Sequence, residues 1–243
     1  MAQRFLLAAL TLLFGTASIR ADSFSVTLKV IDQGKKPVAE AQAAMRWHSR
    51  DGKMSHSEEG SATTDADGKA VMKVDDWNQK RPVLVFAADQ MLGAVVGVSK
   101  ENDGKEVEIQ LVPTVHVKAL LECKELGIKP QWANTMVVPD GFREYPAESQ
   151  SHNAQFELLL PVGKYSLRTY GQDMDDTKFP LELSADQTEK DLGTLDIKAT
   201  VIAKLKGKEP PAWTITDARG VKKEVQLSDY KGKWVFIEFW GFW

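Results

Sequence analysis

The sequence has a single cysteine, Cys123, in 243 residues. One thiol makes no intramolecular disulfide, so the fold must stand on apolar burial alone. Beyond the first two dozen residues no stretch is long and apolar enough to cross a bilayer as a helix. No basic cluster is present. The 31 Lys and Arg are spread among 34 Asp and Glu, for a formal charge of −3. Nucleic acid demands gathered Lys and Arg against its phosphates, so that partner is excluded. Gly-x-Gly-x-x-Gly, Gly-x4-Gly-Lys-Ser/Thr and Gly-x-Ser-x-Gly are all missing, which removes the usual nucleotide cradles and the nucleophile elbow. No cofactor is expected. Apolar content of 43% is that of a globular protein, and the length allows one to two domains.

The amino terminus reads as a secretory signal. Arg4 supplies the positive charge, Phe5–Phe14 a short apolar core, and Ala17-Ser-Ile-Arg-Ala21 the small residues for cleavage after Ala21. Loss of Arg4 and Arg20 with residues 1–21 takes the formal charge from −3 to −5. The expected location is periplasmic or extracellular, with no stable transmembrane span after cleavage. If the signal is retained, it serves as a membrane anchor.

Residues 22–112 carry short alternating runs. In Ser23–Ile31, Phe24, Val26, Leu28 and Val30 share one face, the mark of a half-buried strand. Asp51-Gly52 is a two-residue hairpin signal between Ala43–Arg50 and Lys53–Glu58. Asp67-Gly68 repeats it between Ala62–Ala66 and Lys69–Val74, and 81–88 and 106–112 add strands. The segments Val30-Ile-Asp-Gln-Gly-Lys-Lys-Pro-Val-Ala-Glu-Ala41, Thr64-Asp-Ala-Asp-Gly68 and Val107-Glu-Ile-Gln-Leu111 together resemble the carboxypeptidase regulatory-like domain, a small transthyretin-like β-sandwich. That resemblance implies an accessory module without catalysis.

Residues 113–199 read as a second sandwich, with strands at 114–121, 134–138, 155–160, 165–170, 179–183 and 192–197. Pro161-Val-Gly-Lys-Tyr165 is similar to the second half of the same kind of module. One larger sandwich is the competing reading. Residues 200–209 read as a linker.

Candidate chemistry in these modules is sparse. With Asp51-Gly52 as the loop, Trp47 faces His56 and His48 faces Ser55, so the two histidines point to opposite faces and share no metal. His56-Ser-Glu-Glu59 spells a zinc-carboxypeptidase pair without its third ligand, and Asp173-Met-Asp-Asp176 lacks the Gly and distal Glu of an EF-hand loop. Cys123, between Glu122 and Lys124, has no Cys-x-x-Cys and no nearby His; it reads as an inert buried thiol, with a reactive free thiol as the alternative. The sandwich Trp and Tyr residues read as core, with a sugar- or peptide-binding face as the alternative.

The chain closes on Trp234-Val-Phe-Ile-Glu-Phe-Trp-Gly-Phe-Trp243, whose only charge is Glu238. The run predicts a strand buried on both faces. Together with Gly207-Lys-Glu-Pro-Pro-Ala-Trp-Thr-Ile-Thr-Asp-Ala-Arg-Gly220 and Val225-Gln-Leu-Ser-Asp-Tyr-Lys-Gly-Lys-Trp234, it resembles the beginning of a thioredoxin-like redoxin domain, of the thiol–disulfide oxidoreductase and alkyl hydroperoxide reductase/thiol-specific antioxidant superfamily. In that family a strand ending Phe-Trp runs directly into Cys-x-x-Cys. The resemblance makes Trp240, Gly241, Phe242 and Trp243 the strand end beside the active site. It also implies a protein thiol or disulfide partner for the full-length protein. No cysteine lies here, so the given chain is expected to be inactive.

The expected fold class is mainly β: two antiparallel β-sandwich modules, then the first strands of an incomplete thioredoxin-like α/β domain spanning 210–243. The functional expectation is the non-catalytic N-terminal portion of an exported redoxin, cut just before its cysteines. The alternative is a complete extracytoplasmic β-sandwich that binds or scaffolds a cell-envelope ligand.

Overall fold

The computed structural model describes residues 23–50, 52–75, 78–209, 212 and 214–238. The signal at 1–21 and the strand end Trp240, Gly241, Phe242 and Trp243 lie outside the described residues.

The strands are β1 (Ser23–Ile31), β2 (Gln42–Ala44), β3 (Trp47–Arg50), β4 (Lys53–His56), β5 (Ser61–Thr63), β6 (Lys69–Asp75), β7 (Arg81–Phe86) and β8 (Leu92–Val98). They continue with β9 (Glu106–Gln110), β10 (Val112–Glu122), β11 (Ala133–Pro139), β12 (Ala147–Ser151), β13 (Gln155–Pro161), β14 (Gly163–Gly171), β15 (Met174–Leu183) and β16 (Glu189–Asp196). A single-turn helix, α1 (Val201–Leu205), follows, capped by the Thr200 hydroxyl, which accepts from the Ala203 amide.

The strands form three sheets: β6-β1-β9; β13-β10-β8-β7-β2-β5, with β16 also on β10; and β15-β14-β11-β12-β3-β4. Pairing is mostly antiparallel, but β1–β9, β10–β16 and β12–β3 are parallel.

Two apolar cores lie between these layers. In the smaller, Phe24, Val26, Leu28 and Val30 of β1 meet Met72 and Val74 of β6, and also Ala43, Val83 and Val85. In the larger, Val115, Val117, Phe156, Leu158 and Leu160 meet Val137, Leu167, Trp47 and Met54, and also Ala44, Leu84 and Phe86. Strand β7 therefore feeds both cores, Val83 and Val85 from one face and Leu84 and Phe86 from the other. That is why it is a continuous apolar run, whereas β1, β10 and β14 alternate.

Trp47 ties the hairpin β3–β4 to this shared wall. Its indole N–H donates to the Leu84 carbonyl at 2.9 Å, and its ring meets Phe86 edge-on at 4.8 Å. The hairpin has the register the sequence implies, Trp47 opposite His56 and His48 opposite Ser55.

Other expectations are corrected. Ala43–Arg50 is not one strand: the chain leaves one sheet after Ala44 and joins another at Trp47, whose amide bonds to the Pro146 carbonyl. Asp67-Gly68 does not close a hairpin between β5 and β6, which belong to different sheets. It turns the chain across the smaller core, with the Gly68 amide on the Asp65 carbonyl. Only glycine suits the site: φ is +71°, and a Cβ would fall 2.5 Å from the Val30 carbonyl oxygen. The turn is held from below by Thr64, whose hydroxyl accepts from the Ala41 amide and donates to the Val38 carbonyl.

The closing run is also corrected. Trp234–Glu238 is not a strand, and among the described residues from 212 onward the only regular element is a 3-10 turn at Leu227–Tyr230. Trp234 and Phe236 are fully open to solvent, at 103% and 99% exposure. The run pairs with no described strand, and an unpaired apolar strand has nothing to bury it.

Candidate functional site

Cys123 is wholly buried, at the end of β10 in the larger core. Its amide and carbonyl are both engaged with Ile128. A thiol enclosed by apolar side chains is inert. Native protein is therefore expected to show no reaction with a thiol reagent such as Ellman's reagent, and one thiol per chain after denaturation. Rapid labelling of the folded protein would contradict this placement.

The other sequence-singled residues scatter. His56 packs against the Trp47 ring at 4.6 Å and bonds the Ser57 carbonyl through Nδ1. Asp176 pairs with Arg168, and Asp173 with Lys206. His116 Nε2 lies 3.2 Å from Glu157 on the outer side of β10 and β13. No group of three or more His, Cys, Asp or Glu could hold a metal ion among the described residues.

His48 is different. Strand alternation turns it away from the larger core, onto the outward face of the sheet β15-β14-β11-β12-β3-β4. There its Nδ1 sits 3.1 Å from Oε1 of Glu148, its register partner on β12. The other carboxylate oxygen of Glu148 accepts from Asn134 Nδ2 at 3.1 Å. The same Nδ2 lies 3.3 Å from the Tyr170 hydroxyl, and Trp132 stands edge-on to the Tyr170 ring at 6.1 Å. Four adjacent strands thus contribute one polar line across the sheet, with an aromatic pair at its end.

The energetics make this set unusual. Glu148 and Asn134 are buried, although they stand on the side of the sheet away from the core. A buried carboxylate is tolerated only when paired and hydrogen-bonded, which His48 and Asn134 accomplish. Asn134 Oδ1 is buried with no partner. An unmet buried acceptor costs about 1–3 kcal/mol and calls for a reason. Flipping the amide gives no relief, because Oδ1 would then face the Glu148 carboxylate.

A concavity lies elsewhere among the described residues. An open groove of about 560 Å³ runs past Val138, Phe142, Tyr165, Pro180 and Leu181. Several of its polar groups are already engaged. Lys164 pairs with Glu182 and its carbonyl accepts from the Asp140 amide. The Tyr165 hydroxyl donates to the Pro161 carbonyl at 2.7 Å, and burial pushes its pKa well up. Ligand sites need convergent polar groups, and the polar line, unlike the lining of this groove, holds a buried side-chain atom without a partner.

Sequence reasoning missed Glu148 and Asn134. The stretch Ala147-Glu-Ser-Gln-Ser151 has no apolar alternation, so nothing marks β12 as a strand, and no local signal joins residue 148 to residue 48.

No protein-family model matches the chain. Over 37 residues, a stretch as long as segment 207–243, the chain is 51% identical to thiol-disulfide oxidoreductase ResA of Bacillus thuringiensis subsp. konkukian. The same figures hold for the ResA proteins of Bacillus cereus and Bacillus anthracis. The match takes in 15% of this chain and only 20% of the length of those curated relatives. Among solved structures, the Bacillus anthracis TIE protein is 12% identical with a TM-score of 0.32, over 73% of this chain and 34% of its own. The minor pilin GBS52 of Streptococcus agalactiae is 11% identical with a TM-score of 0.33, over 72% and 96%. What stands is a mainly β, multi-sheet chain with one cysteine, a short redoxin-like match and no Cys-x-x-Cys.

Proposed function

We propose that residues 23–199 form an extracytoplasmic β body that binds or holds a cell-envelope component and has no redox chemistry of its own. The polar line His48–Glu148–Asn134–Tyr170 carries this reading. It keeps a buried carboxylate and an unmet amide oxygen on an outward face, where a core has no use for them. Within the proposal, the modules 22–112 and 113–199 work as one body, because β2 and β7 line both cores. Their resemblance to carboxypeptidase regulatory-like domains has support in the Thr64–Gly68 turn. The bond from the Tyr165 hydroxyl back to the Pro161 carbonyl is the kind of tyrosine tether that sandwich folds use at a strand corner.

A second reading extends the first. The 37-residue identity to thiol-disulfide oxidoreductases favours a role for 210–243 as the lead-in of a thioredoxin-like domain in a longer protein, whose thiol or disulfide partner would be a protein. The test of the main reading is co-sedimentation of the secreted chain with isolated bacterial cell envelopes. Saturable retention, lost on heat denaturation, is expected, together with no reduction of insulin disulfides. Absence of retention would remove the binding reading.

A further inference from the structure

We propose that the outward line of the β15–β4 sheet is a saccharide site, taking a neutral pyranoside whose ring lies against Trp132 and whose hydroxyls reach Asn134 and Glu148. The inference rests on the binding reading above and names its ligand class.

The donor and acceptor tally points to hydroxyls. Asn134 Oδ1 has no donor. The Glu148 oxygens accept from Asn134 and face His48, which leaves further lone pairs on each. His48 spends Nδ1 on Glu148 and has Nε2 left for a ligand, on a side chain 47% exposed. Neighbouring ring hydroxyls offer donors and acceptors together, at the spacing of adjacent side-chain atoms. Because Oδ1 is buried, a hydroxyl reaches it only with local side-chain movement, and Gln150 is an exposed neighbour in register with Asn134 on the same face.

The charge on this face is mixed: Glu148 lies at the centre of the line, Arg50, Lys53 and Lys178 are exposed at its flanks by strand alternation, and Asp176 is paired with Arg168. Such a face favours neither net sign, which suits a neutral ligand held by hydroxyls.

The aromatic end supplies the apolar contact. Trp132 is 44% exposed and braced edge-on by Tyr170. A pyranose presents a face of C–H groups, and a rigid, half-exposed indole held beside polar side chains is suited to cover it.

The test is titration of the chain with N,N′-diacetylchitobiose and with cellobiose, followed by ligand-observed NMR. Saturable binding of at least one disaccharide is expected, with a Kd of about 1 mM or tighter. Trp132→Ala, a surface change checked for folding by circular dichroism, should weaken it at least tenfold. Trp234→Ala, on the exposed tail, should leave it unchanged. Asn134→Leu, which removes the orphan acceptor at similar volume and is checked for folding in the same way, should also weaken binding. No saturable binding of either sugar would overturn the proposal, as would binding that Trp132→Ala leaves intact. Envelope retention without sugar binding would overturn the saccharide and spare the binding body, whereas loss of both would overturn both.

Discussion

Trp47→Ala is expected to lower the unfolding free energy by about 3–5 kcal/mol, read as a fall in the urea midpoint. The side chain is wholly buried, and it is among the largest residues that are. Its ring sits edge-on to Phe86 at 4.8 Å and to His56 at 4.6 Å. Its N–H closes a bond to Leu84 across two sheets. Deletion opens a cavity between the shared wall β2–β7 and the hairpin β3–β4, and the two layers are too well tethered elsewhere to collapse into it. The wall belongs to both cores, so damage here weakens the whole body rather than one half. Trp132→Ala is the control: a half-exposed indole at the sheet's end should cost far less. A loss below about 1 kcal/mol for Trp47, the level of an ordinary substitution, would show that the hairpin is not anchored through this ring.

How much of this was legible depends on whether one face of a strand meets water. Strands β1, β10, β13 and β14 each bury alternate residues, so their period-two pattern appears in the sequence. The register of β3 and β4 followed from Asp51-Gly52 alone, and it correctly set His48 and His56 on opposite faces. Three kinds of feature left no such trace. The step from β2 to β3 changes sheets within Met45-Arg46, two residues that carry no turn signal. Strands β8 and β12 lack alternation, β8 because Gly93 and Gly97 interrupt it and β12 because its residues are polar. The parallel pairs β1–β9 and β3–β12 join residues 79 and 100 positions apart, where neither turn chemistry nor periodicity speaks.

The candidate site was half legible for the same reason. The hairpin rule aims His48 outward, but β11, buried almost throughout, shows no alternation that would single out Asn134. Which carboxylate meets His48 depends on the parallel partner, and only the folded sheet supplies Glu148. Cys123, by contrast, was readable as inert, since Leu121 and Cys123 continue the buried face of β10. The closing run misled in the other direction. Its composition demands burial, but burial needs neighbouring strands, and composition does not say whether they are present.

Ending the chain at Lys208 is expected to raise its solubility several-fold over the chain that runs to Trp243. Trp234, Val235, Phe236 and Ile237 are four consecutive apolar residues, all exposed. Short, β-prone, uncharged segments with free backbone groups pair with their own copies in other molecules. Lys231, Lys233 and Glu238 flank this run without interrupting it, so they slow such pairing rather than forbid it. The cut spares the folded body. Ile197 and Ala199 remain in the larger core, and Thr200 still caps α1. The check is light scattering of both chains over a concentration series, with Phe236→Lys in the longer chain as a third sample. Lysine at that position should restore most of the lost solubility by breaking the apolar run. Equal scattering from all three would mean that the run is sheltered in solution. Placed ahead of a complete thioredoxin-like domain, the same residues would lie between neighbouring strands, and the effect of Phe236→Lys would reverse from rescue to damage. That reversal separates a tail that is merely sticky from a strand whose sheet lies elsewhere in a longer protein.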